Sequence, residues 1–198
     1  PSGRAQSVPG TMTFTVLMMT LIYGAVFLTV EKKTGMLRRQ VSLPLTRRQI
    51  FFGKLLGRLW IAAIQLAILI PVGRFVFGVS FGSSVAGLVL LVSAYALAVG
   101  GLATLMGAVL QTAEQAGMIG WIVGLVMAGL GGCWWPAEVT PRWMWRLAHV
   151  FPTAWAMDGF HALISFGHGV EAVLVPSAVL VGFGALFSVV GSRFLDLG

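Results

Sequence analysis

The chain has 198 residues, of which 58% are hydrophobic and 10% are charged, and its mean hydropathy is +0.92. This composition excludes an ordinary water-soluble domain, in which about a quarter of the residues are charged. The net charge of +7 does not predict nucleic-acid binding, because eight of the 13 Lys and Arg residues lie in one segment between Lys32 and Arg58.

The first ten residues are polar and turn-forming. They contain no initiator Met, and they lack the basic stretch, short apolar core and cleavage site of a signal peptide. We expect residue 1 to be an internal point of a longer protein, with a further membrane span before it.

Five apolar stretches are long enough to cross a bilayer, which takes a helix of about 20 residues. They lie at about 11–30, 55–77, 85–110, 116–132 and 172–191. In the second, Arg58 and Arg74 are expected to extend toward opposite interfaces. The fourth contains Gly120-x-x-x-Gly124, a spacing that permits close helix packing in lipid. The sequence therefore predicts an all-α, polytopic integral membrane protein with about five transmembrane helices.

The orientation of these spans follows from the basic segment, which the positive-inside rule places in the cytoplasm. Residues 74–84 and 133–171 are then expected outside, and Gln111–Gln115 and the C-terminus inside. The segment 133–171 carries two basic residues against this rule, Arg142 and Arg146. We therefore expect it to have a structure of its own.

The cytoplasmic loop 31–54 contains more helix-forming and helix-ending signals than a simple tether between two spans would need. Glu31 to Gln40 is expected to form a short amphipathic helix on the membrane surface. Pro44 disfavours helix before it, and Thr46 with Gln49 has the spacing of a capping box. One helix should then run from Arg47 into the second span. The loop is either a positive-inside anchor or a docking surface for a cytoplasmic partner.

The outer segment 133–170 contains five of the seven tryptophans, a residue enriched at membrane interfaces. Thr140-Pro141 is expected to begin a short helix that Pro152 ends, and Thr153 to cap a second one that stops near Gly167. Neither helix is long enough to span. The segment is predicted to be an outer re-entrant helical hairpin.

Two groups of residues resemble motifs of ABC-2 type transporter permeases. The first resembles the first cytoplasmic loop of that family and comprises Glu31-Lys32-Lys33-Thr34-Gly35-Met36-Leu37-Arg38-Arg39, Leu43-Pro44-Leu45-Thr46-Arg47 and Gly53-Lys54. The second resembles its outer re-entrant element and comprises Gly131-Gly132, Trp135-Pro136, Pro141-x-Trp143 and Phe151-Pro152-Thr153-Ala154-Trp155. Members of the family have six spans, so this chain begins at what would be the second. The similarity covers nearly the whole chain.

The resemblance implies the permease subunit of an ATP-driven exporter that moves a hydrophobic or amphipathic substrate, such as a drug, lipid or glycan, out of a bacterial cell. It implies a multi-pass protein in the bilayer of the cytoplasmic membrane that acts with a second copy or a paralogous permease. ATP and Mg would be bound by separate cytoplasmic ABC ATPase subunits. The chain would not be an enzyme by itself and would hold no cofactor.

The resemblance also implies roles for particular residues. ATPase coupling is assigned to Glu31, Lys32, Lys33, Gly35, Leu37, Arg38, Pro44, Thr46, Arg47, Gly53 and Lys54. The outer re-entrant element is assigned Trp135, Pro136, Pro141, Trp143, Pro152, Trp155 and Asp158.

Catalytic and metal sites are not predicted. His149, His161 and His168 match no standard metal-ligand spacing. No nucleophile is paired with a base, and Gly53-Lys54 lacks the upstream Gly and following Ser or Thr of a phosphate-binding loop. Asp158, Glu138 and Glu171 would be solvated loop charges or an acidic recognition site outside.

Two other functions remain open on the sequence. A secondary transporter or channel without ATPase coupling would need ionisable groups inside the membrane and often shows repeated halves, and neither is clear here. A membrane scaffold or sensor would need only the spans and the basic loop.

Overall fold

The computed structural model describes residues 3–36, 46–82, 84–135, 140–164 and 169–194. Seven helices lie in this part of the chain, and no strand does. They are α1 (Gly3–Lys33), α2 (Arg47–Phe75), α3 (Val85–Val109), α4 (Ala113–Leu130), α5 (Arg142–Ala148), α6 (Pro152–Ile164) and α7 (Glu171–Phe194). The predicted all-α class is confirmed.

Five of these helices, α1, α2, α3, α4 and α7, are long and apolar enough to cross a membrane. They coincide with the five predicted spans, and most extend beyond them. In particular, α1 starts well before residue 11 and accommodates Pro9 in its interior. This chain is a multi-pass membrane protein.

The starts of the spans are fixed by side-chain caps. Thr46 Oγ1 accepts from the backbone N–H of Gln49, and the Gln49 side chain accepts from the backbone N–H of Thr46. This is the predicted capping box, and it starts the one helix that runs from Arg47 through the second span. Ser84 and Thr112 cap α3 and α4 in the same way. Each cap satisfies backbone donors that the first helical turn leaves unpaired.

Helix α3 is at the centre of the bundle and packs against α7, α1, α2 and α6, most closely against α7. Its buried face consists mainly of Ala and Gly, which lets neighbouring helix backbones approach closely. Tyr95 is the largest fully buried side chain, and its hydroxyl donates to the carbonyl of Thr13 at 2.9 Å. This bond ties α3 to α1 in the interior.

The helices alternate in direction, so the bundle has two distinct ends. The end of α1 meets α2 and the end of α3, where Lys32 contacts the carbonyl of Ala108; we call this the basic end. At the opposite end, Thr153 of α6 contacts Met127 of α4. Which of these two ends is cytoplasmic stays a prediction.

Two predictions about the short helices were wrong in detail. α5 begins after Pro141, which is its N-cap, and Thr140 does not cap it. α5 also ends at Ala148, and Pro152 does not terminate it but is the first residue of α6. Pro152 begins α6 because Pro is well suited to the first helical turn, where its missing N–H costs no hydrogen bond. The predicted end near Gly167 lies outside the described residues.

A labelling experiment tests which end of the bundle is cytoplasmic. We expect Thr34→Cys to react with an impermeant maleimide only from the cytoplasmic side, and Ser80→Cys only from outside, because both positions are exposed at opposite ends. We expect little background from the native Cys133, because it is buried and burial raises the pKa of its thiol to about 12, which favours the unreactive thiol over the thiolate. Reaction of both variants from one side would contradict the topology.

Candidate functional site

An ion pair joins α1 and α2 at the basic end. Nζ of Lys54 lies 2.7 Å from Oε2 of Glu31, and both side chains are largely buried between the helices. Glu31 is in the last turns of α1, and Lys54 is two turns into α2. Removing one partner of such a pair leaves the other charge uncompensated. The pair therefore holds the end of α1 against α2, and we call it, with Arg58 and Gly24, the α1–α2 junction.

Arg58 is the most buried charged residue of the junction, with only 6% of its surface exposed. Its Nη2 donates to the carbonyl of Gly24 at 2.7 Å, and its Nη1 donates to the carbonyl of Lys54 at 3.0 Å. Gly24 is needed at this point because a Cβ there would lie 2.9 Å from Nε of Arg58. The expectation that Arg58 extends to the interface was wrong, because its head group is held against α1.

Lys32 links the same end of α1 to α3. Its Nζ donates to the carbonyls of Ala108 at 2.7 Å and Leu110 at 3.1 Å. The last carbonyls of a helix have no partner within it and carry the negative end of its dipole. A cation at this position donates to the unpaired carbonyls and balances the negative end of the helix dipole. Lys32 therefore acts as a C-terminal cap for α3. A movement of α1 would therefore be transmitted to α2 through the α1–α2 junction and to α3 through Lys32.

The rest of the predicted coupling residues fall into three groups. Lys33 and Thr46 are exposed at the basic end. Arg47 is the first residue of α2. Leu37, Arg38 and Pro44 lie outside the described residues.

The predicted amphipathic helix does not begin at Glu31. Residues Glu31 to Lys33 continue α1, and the chain then turns at Gly35, whose φ is +69°. An L side chain is strained in this left-handed conformation, which explains the glycine. The charged residues Glu31, Lys32 and Lys33 thus belong to the end of a span, and most of the remainder of the predicted helix lies outside the described residues.

The geometry of Gly53-Lys54 differs from that of a nucleotide site. Both residues lie in the interior of α2, whereas a phosphate-binding loop precedes its helix and presents free backbone N–H groups. The Lys54 ammonium is also bound to Glu31. Gly53-Lys54 therefore lies within a helix and does not form a phosphate-binding loop.

The predicted outer element is only partly buried in the bundle. α6 packs against α7, α3, α1 and α4, and Thr153 donates to the carbonyl of Met127 at 2.6 Å. Trp143 on α5 is exposed, as is Trp135, whose Nε1 donates to the carbonyl of Gly129. At 13 residues α6 is too short to span. Pro136 lies outside the described residues.

Two tryptophans and one acidic side chain of this element form a compact cluster around His149. Its Nε2 lies 2.7 Å from Oδ2 of Asp158, and its Nδ1 lies 2.8 Å from the carbonyl oxygen of Trp145. Both ring nitrogens of His149 thus lie within hydrogen-bond distance of an oxygen atom. Trp155 donates to the carbonyl of His149, and the rings of Trp145 and Trp155 flank the imidazole. The cluster joins α5 to α6.

Asp158→Asn tests this cluster. The substitution removes the carboxylate that Nε2 of His149 contacts, and we expect the free energy of unfolding to fall by about 1–2 kcal/mol, the scale of a hydrogen bond to a charged group. Thermal unfolding followed by tryptophan fluorescence measures it. Glu171→Gln is the control, since Glu171 is exposed at the start of α7. An equal loss in both variants would contradict a specific role for Asp158.

A cavity of about 1200 Å³ lies at the opposite end between α1, α2, residues 76–80 and Ile164 of α6. Its walls include Val8, Leu69 and Phe77, and no charged side chain lines it among the described residues. An opening of this kind suits an apolar or amphipathic molecule.

Sequence reasoning did not find three of these features. Arg58 was interpreted as a flank of its span, although a charge four residues after Lys54 on the same helix could have suggested a shared site. The sequence contains a clearer signal for the contact between His149 and Asp158 than for Arg58, because these two residues are only nine positions apart and lie on either side of a helix boundary. No pattern in the sequence indicates the contact of Lys32 with α3.

Comparison with known proteins gives consistent matches. The family model for the ABC-2 family transporter protein matches residues 3–193. The linearmycin resistance permease protein LnrN of Bacillus subtilis (strain 168) is 28% identical over 179 residues, which are 90% of this chain and 46% of LnrN. The probable multidrug ABC transporter permease YbhR of Escherichia coli (strain K12) is 28% identical over 146 residues, 73% of this chain and 39% of YbhR. The chain spans less than half the length of these relatives.

Proposed function

Since this chain belongs to the ABC-2 family of transporter proteins, we propose that it is the permease through which an ATP-driven exporter moves a hydrophobic or amphipathic substrate out of the cell. The observation that carries the proposal is the family match over residues 3–193. The names of the relatives, a linearmycin resistance permease and a probable multidrug permease, favour drug-like or lipid-like molecules over small ions.

The proposed partner is a cytoplasmic ABC ATPase that binds ATP and Mg. The basic end is the surface we assign to it, since Lys33, Met36 and Thr46 are exposed there beside the turn at Gly35. A push on this turn would move the end of α1. The α1–α2 junction would pass that movement to α2, and Lys32 would pass it to α3.

The transported molecule is proposed to leave through the opposite end. The cavity of about 1200 Å³ there lies between α1 and α2, which are the helices joined at the junction. A change in the angle between these helices at the basic end would alter the width of the cavity. We expect a second permease, identical or paralogous, to complete the route in the bacterial cytoplasmic membrane.

Copurification and ATPase assays test the proposal. An ABC ATPase should copurify with the tagged full-length protein, and its hydrolysis in proteoliposomes should rise when the right member of a panel of hydrophobic drugs, lipids and saccharides is added. A protein that brings no ATPase with it, and transports without ATP, would instead be a secondary transporter or channel.

A further inference from the structure

A narrow groove between α1 and α2 opens sideways near the basic end. It has a volume of about 220 Å³, and its polar end is formed by Glu31, Lys54 and Arg58. Tyr23 and Phe27 line its apolar part, and both side chains are more than half exposed. We call it the α1–α2 groove. Because both walls belong to membrane-spanning helices, the exposed aromatic side chains face the acyl region of a bilayer or a neighbouring protein.

The charges in this groove do not cancel. Glu31 supplies one negative charge, and its Oε2 is paired with Nζ of Lys54 at 2.7 Å. Arg58 adds a second positive charge, and among the described residues its two terminal nitrogens bind backbone carbonyls. Its Nε is buried against Gly24 and has no hydrogen-bond partner in the described part of the chain. The polar end therefore carries a net charge of about +1 in a region where an unmatched charge is costly.

An anionic group beside Lys54 and Arg58 would balance the excess positive charge and remove the cost of holding it unmatched within the membrane. Phosphate suits the site, since its oxygens accept several hydrogen bonds from guanidinium and ammonium groups. The apolar walls that continue from the polar end indicate a ligand with a hydrocarbon tail, and a tyrosine such as Tyr23 is favoured where apolar and polar regions of a membrane meet.

We infer that the α1–α2 groove binds an anionic phospholipid, with its phosphate at Lys54 and Arg58 and an acyl chain along Tyr23 and Phe27. The bound lipid neutralises the excess charge and fills the groove between the two helices. This site is separate from the proposed transport route, and its existence does not depend on ATP-driven export.

The test measures lipid retained by the purified full-length protein. The protein is exchanged into nanodiscs of phosphatidylcholine with a minor fraction of phosphatidylglycerol, extracted into detergent, and analysed by native mass spectrometry. We expect one phosphatidylglycerol per chain to be retained with a preference of roughly fivefold to tenfold over phosphatidylcholine, as one or two basic groups near a phosphate provide. Inorganic phosphate should not displace it.

Two glycines give a matched pair of variants. A Cβ added at Gly57, which lines the groove, meets no atom within 4 Å, and the same is true of Gly182 on α7. Gly57→Leu should therefore fill the groove without a clash and abolish the preference, whereas Gly182→Leu should retain it. Arg58→Met, which removes the charge and keeps much of the length, should also abolish it.

Three outcomes would overturn the inference. They are equal retention of the two lipids by the unaltered protein, unchanged retention by a folded Gly57→Leu variant, and complete displacement by inorganic phosphate. The last of these would indicate a free-anion site. Thermal unfolding of each variant confirms that it is folded, and the behaviour of Gly57→Leu decides the matter if Arg58→Met does not fold.

Discussion

Replacing Glu31 by Lys is expected to abolish substrate-stimulated ATP hydrolysis by the assembled transporter. The change places three positive side chains, at positions 31, 54 and 58, in a largely buried junction. Breaking a buried ion pair costs about 3–5 kcal/mol, and a like charge adds repulsion. We expect the midpoint of thermal unfolding to fall by about 10 °C in a protein of this size. The end of α1 would then separate from α2.

Charge exchange distinguishes loss of the pair from loss of a particular residue. The double variant Glu31→Lys, Lys54→Glu restores one ion pair and leaves the net charge of the junction unchanged. It should recover most of the thermal stability and of the coupling. Glu171→Lys makes the same charge change at an exposed position and should have little effect on either. If Glu31→Lys keeps full ATPase binding and stimulated hydrolysis, the basic loop is only a topological anchor and the proposed coupling route is wrong.

The spans were predictable because a bilayer requires long apolar helices with every backbone group paired. Helix caps such as Thr46 were also predictable, because few residue types can accept hydrogen bonds from the unpaired N–H groups at the start of a helix. The face of each span that is buried in the bundle could not be predicted from the sequence. In α1, Val16 is fully buried and Met19 is 46% exposed, yet both are apolar. In lipid, either face of such a helix is compatible with its surroundings, so hydropathy does not identify the packed one.

The site was predictable as a segment of the chain but not as a set of contacts. Glu31 and Lys54 were both singled out by resemblance, but they are 23 positions apart and pair only because α1 and α2 are antiparallel neighbours. Lys32 follows Glu31 directly and contacts a different helix, because successive helical residues point in directions about 100° apart. Resemblance identified which residues matter, and packing determined what each one does.

The second large effect is expected at the contact of α3 with α7, where glycines allow close approach. A Cβ at Gly184 would lie 2.6 Å from Cγ and 3.0 Å from the backbone carbon of Leu97. A Cβ at Gly101 would lie 2.9 Å from the carbonyl oxygen of Gly184. Backbone cannot move aside as a flexible side chain can, so Gly184→Ile should force the helices apart. We expect a loss of about 3 kcal/mol in the free energy of unfolding, the upper end of the cost of overpacking.

Gly182→Ile is the matched control for this prediction, since it makes the same substitution two residues earlier in the same helix. A Cβ at Gly182 meets no atom within 4 Å, and the change should alter stability by no more than about 0.5 kcal/mol. Thermal unfolding in one detergent, followed by tryptophan fluorescence, compares the two. Because α3 also receives Lys32 at its end, Gly184→Ile should lower stimulated ATP hydrolysis even where the Glu31–Lys54 pair is intact. Equal behaviour of the two variants would mean that α3 and α7 are not closely packed in the membrane.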